Sequence, residues 1–459
     1  EALAPYWQVV GQHPRTDGLP DEVKAELLLR AGTLTGWLGS ARQVEGAQEI
    51  AKDLISESAS ISDGAGRTEK AVEAMIDLAI CYWREGALDE ARVTLRHALD
   101  RLGDLQSEQR LRALLNSAII EQVANRLDEA LRIYHDAAPL FELSTNHSLK
   151  GKFHNSYALA LKGVGLARDN ETYIDQALVE FAAAQIHFEE AGHKRFRARV
   201  ENNEGFLFAR LGRFKEAYEH LDRARALHLS VGDHGGAAGV DDTRAQTYLL
   251  EGKSQEAEKF ARSAVRFLER GGEQSILAEA LTTHATALAR LDQKVEARTT
   301  FDRAISVAHQ AGDPDGGGLA ALTAIEELGF ALKTTELKQY FETADRLLVR
   351  SQHPRIELRL GQAARRILRA DVQKEDIGSA PANGFSVAEG YSLEADVLQY
   401  EGSLIRKALE ASGGSVTRAA RMLGVTHQGL AFILNGRHND LLSARTPVKR
   451  RRKSIIRYR

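Results

Sequence analysis

A period constrains this chain more than any other feature. Ala177, Ala217, Ala257 and Ala297 recur every 40 residues, and Gly192, Gly232, Gly272 and Gly312 keep the same interval. Two independent markers holding one spacing describe a small supersecondary unit used many times, not one large core. Earlier copies are looser. Ala47, Ala91 and Ala130 follow at intervals of 44 and 39, and the step from Ala130 to Ala177 widens to 47. The turn-rich stretch Gly163 to Thr172 is where the extra residues are expected.

Each unit reads as two helices. Between Arg199 and Gly232, the stretch ENNEGFLFARLG stops at Gly212. The following stretch, FKEAYEHLDRARALHLSVG, puts Ala217, Leu221, Ala224 and Leu227 on one stripe at helical spacing. Gly232 closes it, and Gly86, Gly212 and Gly252 mark the turn between the two helices. The recurring alanines let antiparallel helices approach closely. Composition agrees with helix over sheet: the 459 residues include only 8 Pro and 3 Trp.

These residues resemble the tetratricopeptide repeat. That signature places a small residue, an aromatic, a turn glycine, an alanine, a large apolar residue and a second alanine in fixed order. The second copy reads Ala79, Tyr82, Gly86, Ala91, Leu95, Ala98, and the fifth reads Gly205, Phe208, Gly212, Ala217, Leu221, Ala224. The sixth reads Ala245, Tyr248, Gly252, Ala257, Ala261, Ala264, and the seventh reads Ala285, Leu288, Asp292, Ala297, Phe301, Ala304. An eighth, degenerate copy is expected from Gly318 to Arg350. The resemblance implies an all-α fold, a right-handed solenoid of about seven to eight helical hairpins over residues 1–350. It implies that the first helix of each unit faces a groove that takes a peptide, a protein partner or a small ligand. By the family pattern, Lys152, Asn155, Arg199, Asn202, Asn203, Asp242 and Gln246 face inward.

The pattern fades after Arg350. Pro354 suits the first turn of a new helix. Within 351–370, Ile356, Leu360, Ala363, Ala364, Ile367 and Leu368 recur at helical spacing, as in a capping or linking helix. The stretch 371–392 holds Gly378, Pro381, Gly384 and Gly390 and reads as a flexible linker.

The end of the sequence differs in charge and pattern. The whole chain carries a formal charge of −3, yet Ser415 to Arg459 contains 11 Lys or Arg against one acid, Asp440. An acidic body with a basic end suits contact with nucleic acid. A first helix is expected from about Leu393 to Ala411, stopped by Gly413 and Gly414. A second runs from Val416 to Leu423 with Ser415 as N-cap, and Gly424 turns into a third from about Thr426 to Asn435. Ala419, Ala420, Leu423, Val425, Leu430 and Leu434 form the expected core.

This segment, 393–442, looks like the Fis-type helix-turn-helix of bacterial regulators. The matching residues are Glu401, Leu404, Ile405, Ala408, Leu409, Gly413, Gly414, Ala419, Ala420, Leu423, Gly424, Val425, Gln428, Leu430 and Leu434. The resemblance implies a homodimer that binds double-stranded DNA. Thr426, His427, Gln428 and Gly429 would read base edges, with Thr417 and Arg418 near phosphate. Phe432 and Ile433 depart from the pattern, which usually has basic residues there. The third helix has no Lys or Arg. The missing charge follows in Arg437 and the 443–459 tail, which contains Lys449, Arg450, Arg451, Arg452 and Lys453. Phe432 and Ile433 would alternatively meet protein.

Other chemistry is not legible. There is no phosphate loop of the G-x-x-x-x-G-K-S/T kind, no H-E-x-x-H and no G-x-S-x-G. Gly316, Gly317 and Gly318 follow Pro314 and read as turn residues. The 15 histidines show no metal-ligand spacing, and the single Cys81 can form neither an internal disulfide nor a cysteine cluster. No apolar run is long enough to span a bilayer, and Glu1 to Trp7 does not read as a secretory leader. The expectation is a cytoplasmic, non-enzymatic regulator with no cofactor and no metal. The rival is a repeat adaptor whose terminal helices dimerise or bind protein.

Overall fold

The computed structural model describes residues 3–41, 46–271, 274–349, 351, 354–377 and 393–444. These contain 20 α-helices and no strand. The chain divides into two compact units, Glu1–Glu375 and Asp376–Arg459.

The first unit is a row of eight helical hairpins. They are α1 Asp21–Ala41 with α2 Ala47–Gly64, α3 Thr68–Arg84 with α4 Leu88–Leu102, and α5 Glu108–Val123 with α6 Leu127–Glu142. Next come α7 His147–Arg168 with α8 Glu171–Glu190, α9 Lys194–Arg210 with α10 Phe214–Ser230, and α11 His234–Leu250 with α12 Ser254–Leu268. The last two are α13 Gln274–Arg290 with α14 Lys294–Gln310 and α15 Pro314–Leu328 with α16 Thr334–Leu347, followed by α17 Pro354–Ile377.

The marker alanines explain the stacking. Ala177, Ala217, Ala257 and Ala297 are all fully buried, and one turn on so are Phe181, Leu221, Ala261 and Phe301. A methyl group at the first position leaves room for the partner helix, and the second fills the remaining space. First helices of successive hairpins pack on each other from α1 through α15, and each second helix packs on the first helix of the next hairpin. The odd-numbered helices therefore form one continuous inner face.

One backbone device recurs at the turns. The N–H of Arg213 donates to the carbonyl of Phe208 at 2.9 Å while Gly212 sits at φ 74°. The same closure joins Ala87 to Tyr82, Lys253 to Tyr248 and Gln293 to Leu288. This is the Schellman ending of a helix, which needs a left-handed residue and so favours glycine.

Four expectations are corrected. The widened step from Ala130 to Ala177 is not a long loop at 163–172: α7 and α8 have 22 and 20 residues, against 17 in α9 and α10. The apolar face of α7 simply continues through Leu161, Val164 and Gly165. The last hairpin starts at Pro314 rather than Gly318, so Gly316 to Gly318 are helical, not turn residues. Asp313 caps this helix by accepting from the Gly316 N–H at 2.8 Å, and a Cβ on Gly318 would collide with Leu348. Helix α17 continues past Ala370 to Ile377, into the expected linker, and the rest of that linker lies outside the described residues. Ala363 and Ile367 of α17 cap the core formed by Ile325, Leu328 and Leu337.

The second unit contains α18 Leu393–Ala411, α19 Val416–Met422, α20 His427–Gly436 and a 3₁₀ turn at Asn439–Ala444. Ile405, Ala408, Leu409, Ala419, Ala420, Leu430, Leu434 and Leu441 form its core. The fourth correction falls here. Val425 is exposed rather than part of that core, because Gly424, at φ 66°, turns the chain and directs Val425 outward.

Candidate ligand groove and nucleic-acid interface

The inner face of the array gathers the seven residues expected there. Arg199, Asn202, Asn203 and Asp242 line one cavity of about 550 Å³ together with Gly239, Thr243, Ile276 and Glu279. The remaining three are tied to this group. Asn203 Nδ2 on α9 donates to Asn155 Oδ1 on α7 at 3.1 Å. Gln246 Nε2 donates to Asp242 Oδ2 at 2.8 Å. Lys152 Nζ lies 5.4 Å from the centre of the Phe196 ring, which Arg199 also faces at 6.0 Å.

Electrostatics divide the groove. Burial, followed by the cations Arg112 and Arg199, pulls the Lys152 amine below its ordinary range. At the other end, burial and then the charge of Glu279 push the Asp242 carboxyl up. Desolvation by the surrounding helices and the charge of Asp313 also push up Glu279, which is exposed at the rim of the cavity. Asp242 is only 3% exposed, and its Oδ1 has no hydrogen-bond partner. Asn202 Oδ1 is likewise buried and unpartnered.

In the second unit, Thr426 caps α20 by accepting from the Gly429 N–H at 3.0 Å. Gly429 is helical, and a Cβ there would press on Thr426 Oγ1 at 3.1 Å. These two residues therefore shape the start of the helix. His427 and Gln428 stand exposed beside them, as do Thr417 and Arg418 on α19. Ser415 occupies the N-cap position of α19 without a capping side-chain hydrogen bond. Arg437 donates to Glu401 Oε1 at 2.5 Å, so part of its charge is neutralised by α18. Lys449, Arg450, Arg451, Arg452 and Lys453 lie outside the described residues. Phe432 and Ile433 separate: Phe432 is 81% exposed, whereas Ile433 packs against the core.

Residues 196–270 match the tetratricopeptide repeat family model, and residues 399–431 match the model described as bacterial regulatory protein, Fis family. The chain carries tetratricopeptide repeats and a Fis-type helix-turn-helix. Among solved structures, yeast Tom70 is similar with 14% identity and a TM-score of 0.54, over 78% of this chain and 66% of that one. The chain thus spans just under two thirds of Tom70, and the likeness shows a shared fold. The Rap protein complexed with competence and sporulation factor matches with 13% identity over 74% of this chain and 99% of that one, at a TM-score of 0.45. NprR in complex with its cognate peptide NprX matches with 14% identity over 80% and 99%, at 0.44. No curated protein matches the chain.

Sequence reasoning on the repeats missed Glu279 and Ile276. The signal was available for Glu279, because Arg199, Gly239 and Glu279 follow one another at the 40-residue period. Among the described residues, Glu201, Glu204 and His220 form a group whose ligand atoms all lie within 4.8 Å of one another. Within the repeats they already satisfy each other. His220 Nδ1 is 2.8 Å from Glu201, Arg223 Nε donates to Glu201 at 3.0 Å, and Gln185 donates to Glu204. Cys81 is 2% exposed, and burial pushes its thiol up to about 11, which disfavours the reactive thiolate. No described helix is long and apolar enough to cross a membrane.

Proposed function

We propose that this chain is a DNA-binding transcriptional regulator. The repeat array senses a peptide, a protein or a small ligand, and the Fis-type module with its basic tail binds duplex DNA. The observation that carries the reading is the Fis-family match at 399–431, lying inside a region whose last 45 residues hold 11 Lys or Arg and one acid. Phosphate neutralisation supplies most non-specific affinity for DNA, and exposed side chains at the start of α20 are available to read base edges. On this reading the protein acts in the cytoplasm, as a homodimer, with no catalytic step.

Titration of a labelled duplex tests it. The intact chain binds, with affinity falling steeply as salt rises, and deletion of 393–459 abolishes binding. Absence of binding across many sequences at low salt overturns it.

A second reading has its own support. Helix α20 carries no Lys or Arg and exposes Phe432. An adaptor whose terminal helices bind protein would use such a surface. A stoichiometric protein partner, recovered together with no DNA affinity at low salt, favours the adaptor.

A further inference from the structure

Helix α20 has two faces. Leu430 and Leu434 are buried, and Ile433 packs beside them on the core of the second unit. On the opposite side stand Gln428, Phe432 and Asn435, all exposed. Residues three or four apart lie one above the other on a helix, so these three form a single stripe. From Gln428 to Asn435 it runs about 10 Å, close to the rise of about three base pairs. Phe432, in the middle, is 81% exposed. Neither amide makes a hydrogen bond to a described residue. By contrast, the Thr426 oxygen is already engaged by the Gly429 N–H at 3.0 Å. His427 lies about 100° around the helix from Gln428, outside the stripe.

The chemistry of the stripe is selective. Adenine presents an N6 donor beside an N7 acceptor in the major groove, and a Gln or Asn amide offers the complementary acceptor and donor. Thymine presents a C5-methyl group, which takes apolar contact from Phe. Guanine presents two acceptors, which suit Arg or Lys, and cytosine presents a donor, which suits Asp or Glu. Helix α20 contains none of those four residue types. Its outward groups are therefore the ones that fit A·T.

Positive charge is placed elsewhere in the unit. Arg418 and Arg421 are exposed on α19, and Arg445 to Arg459 adds eight Lys or Arg in the sequence. Phosphate contacts hold a protein on the duplex, whereas base contacts choose the sequence. In a helix-turn-helix the second helix is the one that enters the major groove. Here α20 follows α19 across the left-handed turn at Gly424 and takes that position.

We propose that α20 selects A·T base pairs from the major groove, with Gln428 and Asn435 on adenine N6 and N7 and Phe432 on thymine methyl groups. This rests on the DNA-binding reading of the second unit, and adds which base pairs it prefers and which atoms on them it needs. The lack of Lys and Arg in α20 then has a chemical reason. The helix supplies specificity, and its flanking segments supply affinity.

The test uses the full chain at fixed salt and a duplex pool with a randomised window of about 20 base pairs, two helical turns. Sites enriched by selection share runs of A·T pairs. The best site is then remade in three ways. Uracil for thymine deletes the methyl group, and 7-deazaadenine replaces N7 by a C–H. Inosine·cytosine for A·T changes the major-groove groups and keeps those of the minor groove. Each change lowers affinity about threefold to tenfold or more. Phe432→Ala erases the penalty for uracil, and Gln428→Ala with Asn435→Ala erases that for 7-deazaadenine, while the salt dependence of binding stays that of wild type. All three side chains are exposed, so the variants unfold at the wild-type temperature. Indifference to uracil and 7-deazaadenine, or G·C-rich selected sites, overturns this proposal and leaves DNA binding intact. Affinity that survives inosine·cytosine assigns the preference to minor-groove shape and overturns it too. No duplex retained at low salt overturns the DNA-binding reading together with it.

Discussion

His438 Nε2 and Glu401 Oε2 lie 2.8 Å apart and tie the chain after α20 to α18. His438 is only 6% exposed, so this contact is an internal brace. Glu401→Ala leaves the ring buried without its acceptor and frees Arg437. It is expected to cost the second unit about 1–3 kcal/mol, read as faster hydrogen exchange of the α18–α20 amides. Arg437→Ala removes only the exposed half of the network and costs less than about 1 kcal/mol in the same measurement. Equal losses for both would refute the brace.

Glu204 makes stability depend on pH. Burial, with Glu201 beside it and against the pull of His220, pushes its carboxyl up to about 7. A carboxyl raised on folding binds its proton more tightly in the native state. Its stabilising contribution is therefore complete below its unfolded value, about 4.3, falls as pH rises, and is gone above about 7. Wild type should lose stability relative to Glu204→Gln between about pH 4.3 and 7, at up to about 1.4 kcal/mol per pH unit. Urea midpoints of the two proteins across that range check it, and parallel curves count against it.

Two helical glycines should respond oppositely to alanine. A Cβ at Gly151 on α7 would stand 2.7 Å from the Phe188 ring, which is itself fully packed. Gly151→Ala is expected to cost about 1–3 kcal/mol through overpacking. Gly361 on α17 has nothing within 4 Å of that position. Gly361→Ala should stabilise by about 0.5–1 kcal/mol, because glycine loses more backbone entropy. Denaturant midpoints decide, and a neutral Gly151→Ala would show that the ring gives way.

Asp292 occupies a turn where sister repeats have glycine. Its φ is 63°, against 74° at Gly212 and 81° at Gly252. A left-handed L-residue is strained by about 1–2 kcal/mol, and the surface pair with Lys294 at 2.7 Å returns little. Asp292→Gly should raise the thermal midpoint. An unchanged or lower midpoint would mean the aspartate contributes more than its geometry suggests.

The sequence and structure divide the work unevenly. The hairpins were legible because close helix packing demands small residues at fixed intervals, and a Schellman turn demands glycine or a substitute such as Asp292. The widened fourth unit was not, because a helix extended by a continuing apolar face leaves no mark in turn chemistry. Composition alone predicts a turn at Gly316 to Gly318, where the chain is helical. The structure gives each its own neighbour: a Cβ would meet the capping Asp313 at Gly316, Leu347 at Gly317 and Leu348 at Gly318.

The sequence by itself determined the repeat, the helix-turn-helix and the basic end, since period, capping residues and charge are properties of the chain alone. Only the tertiary structure decided which charges remain unbalanced. Asp241 and Asp242 are adjacent in sequence, yet Arg225 neutralises the first, while the second is buried in the groove facing Glu279. Neighbouring positions on a helix point to different surroundings, and those surroundings are built by residues 16 and 37 positions away.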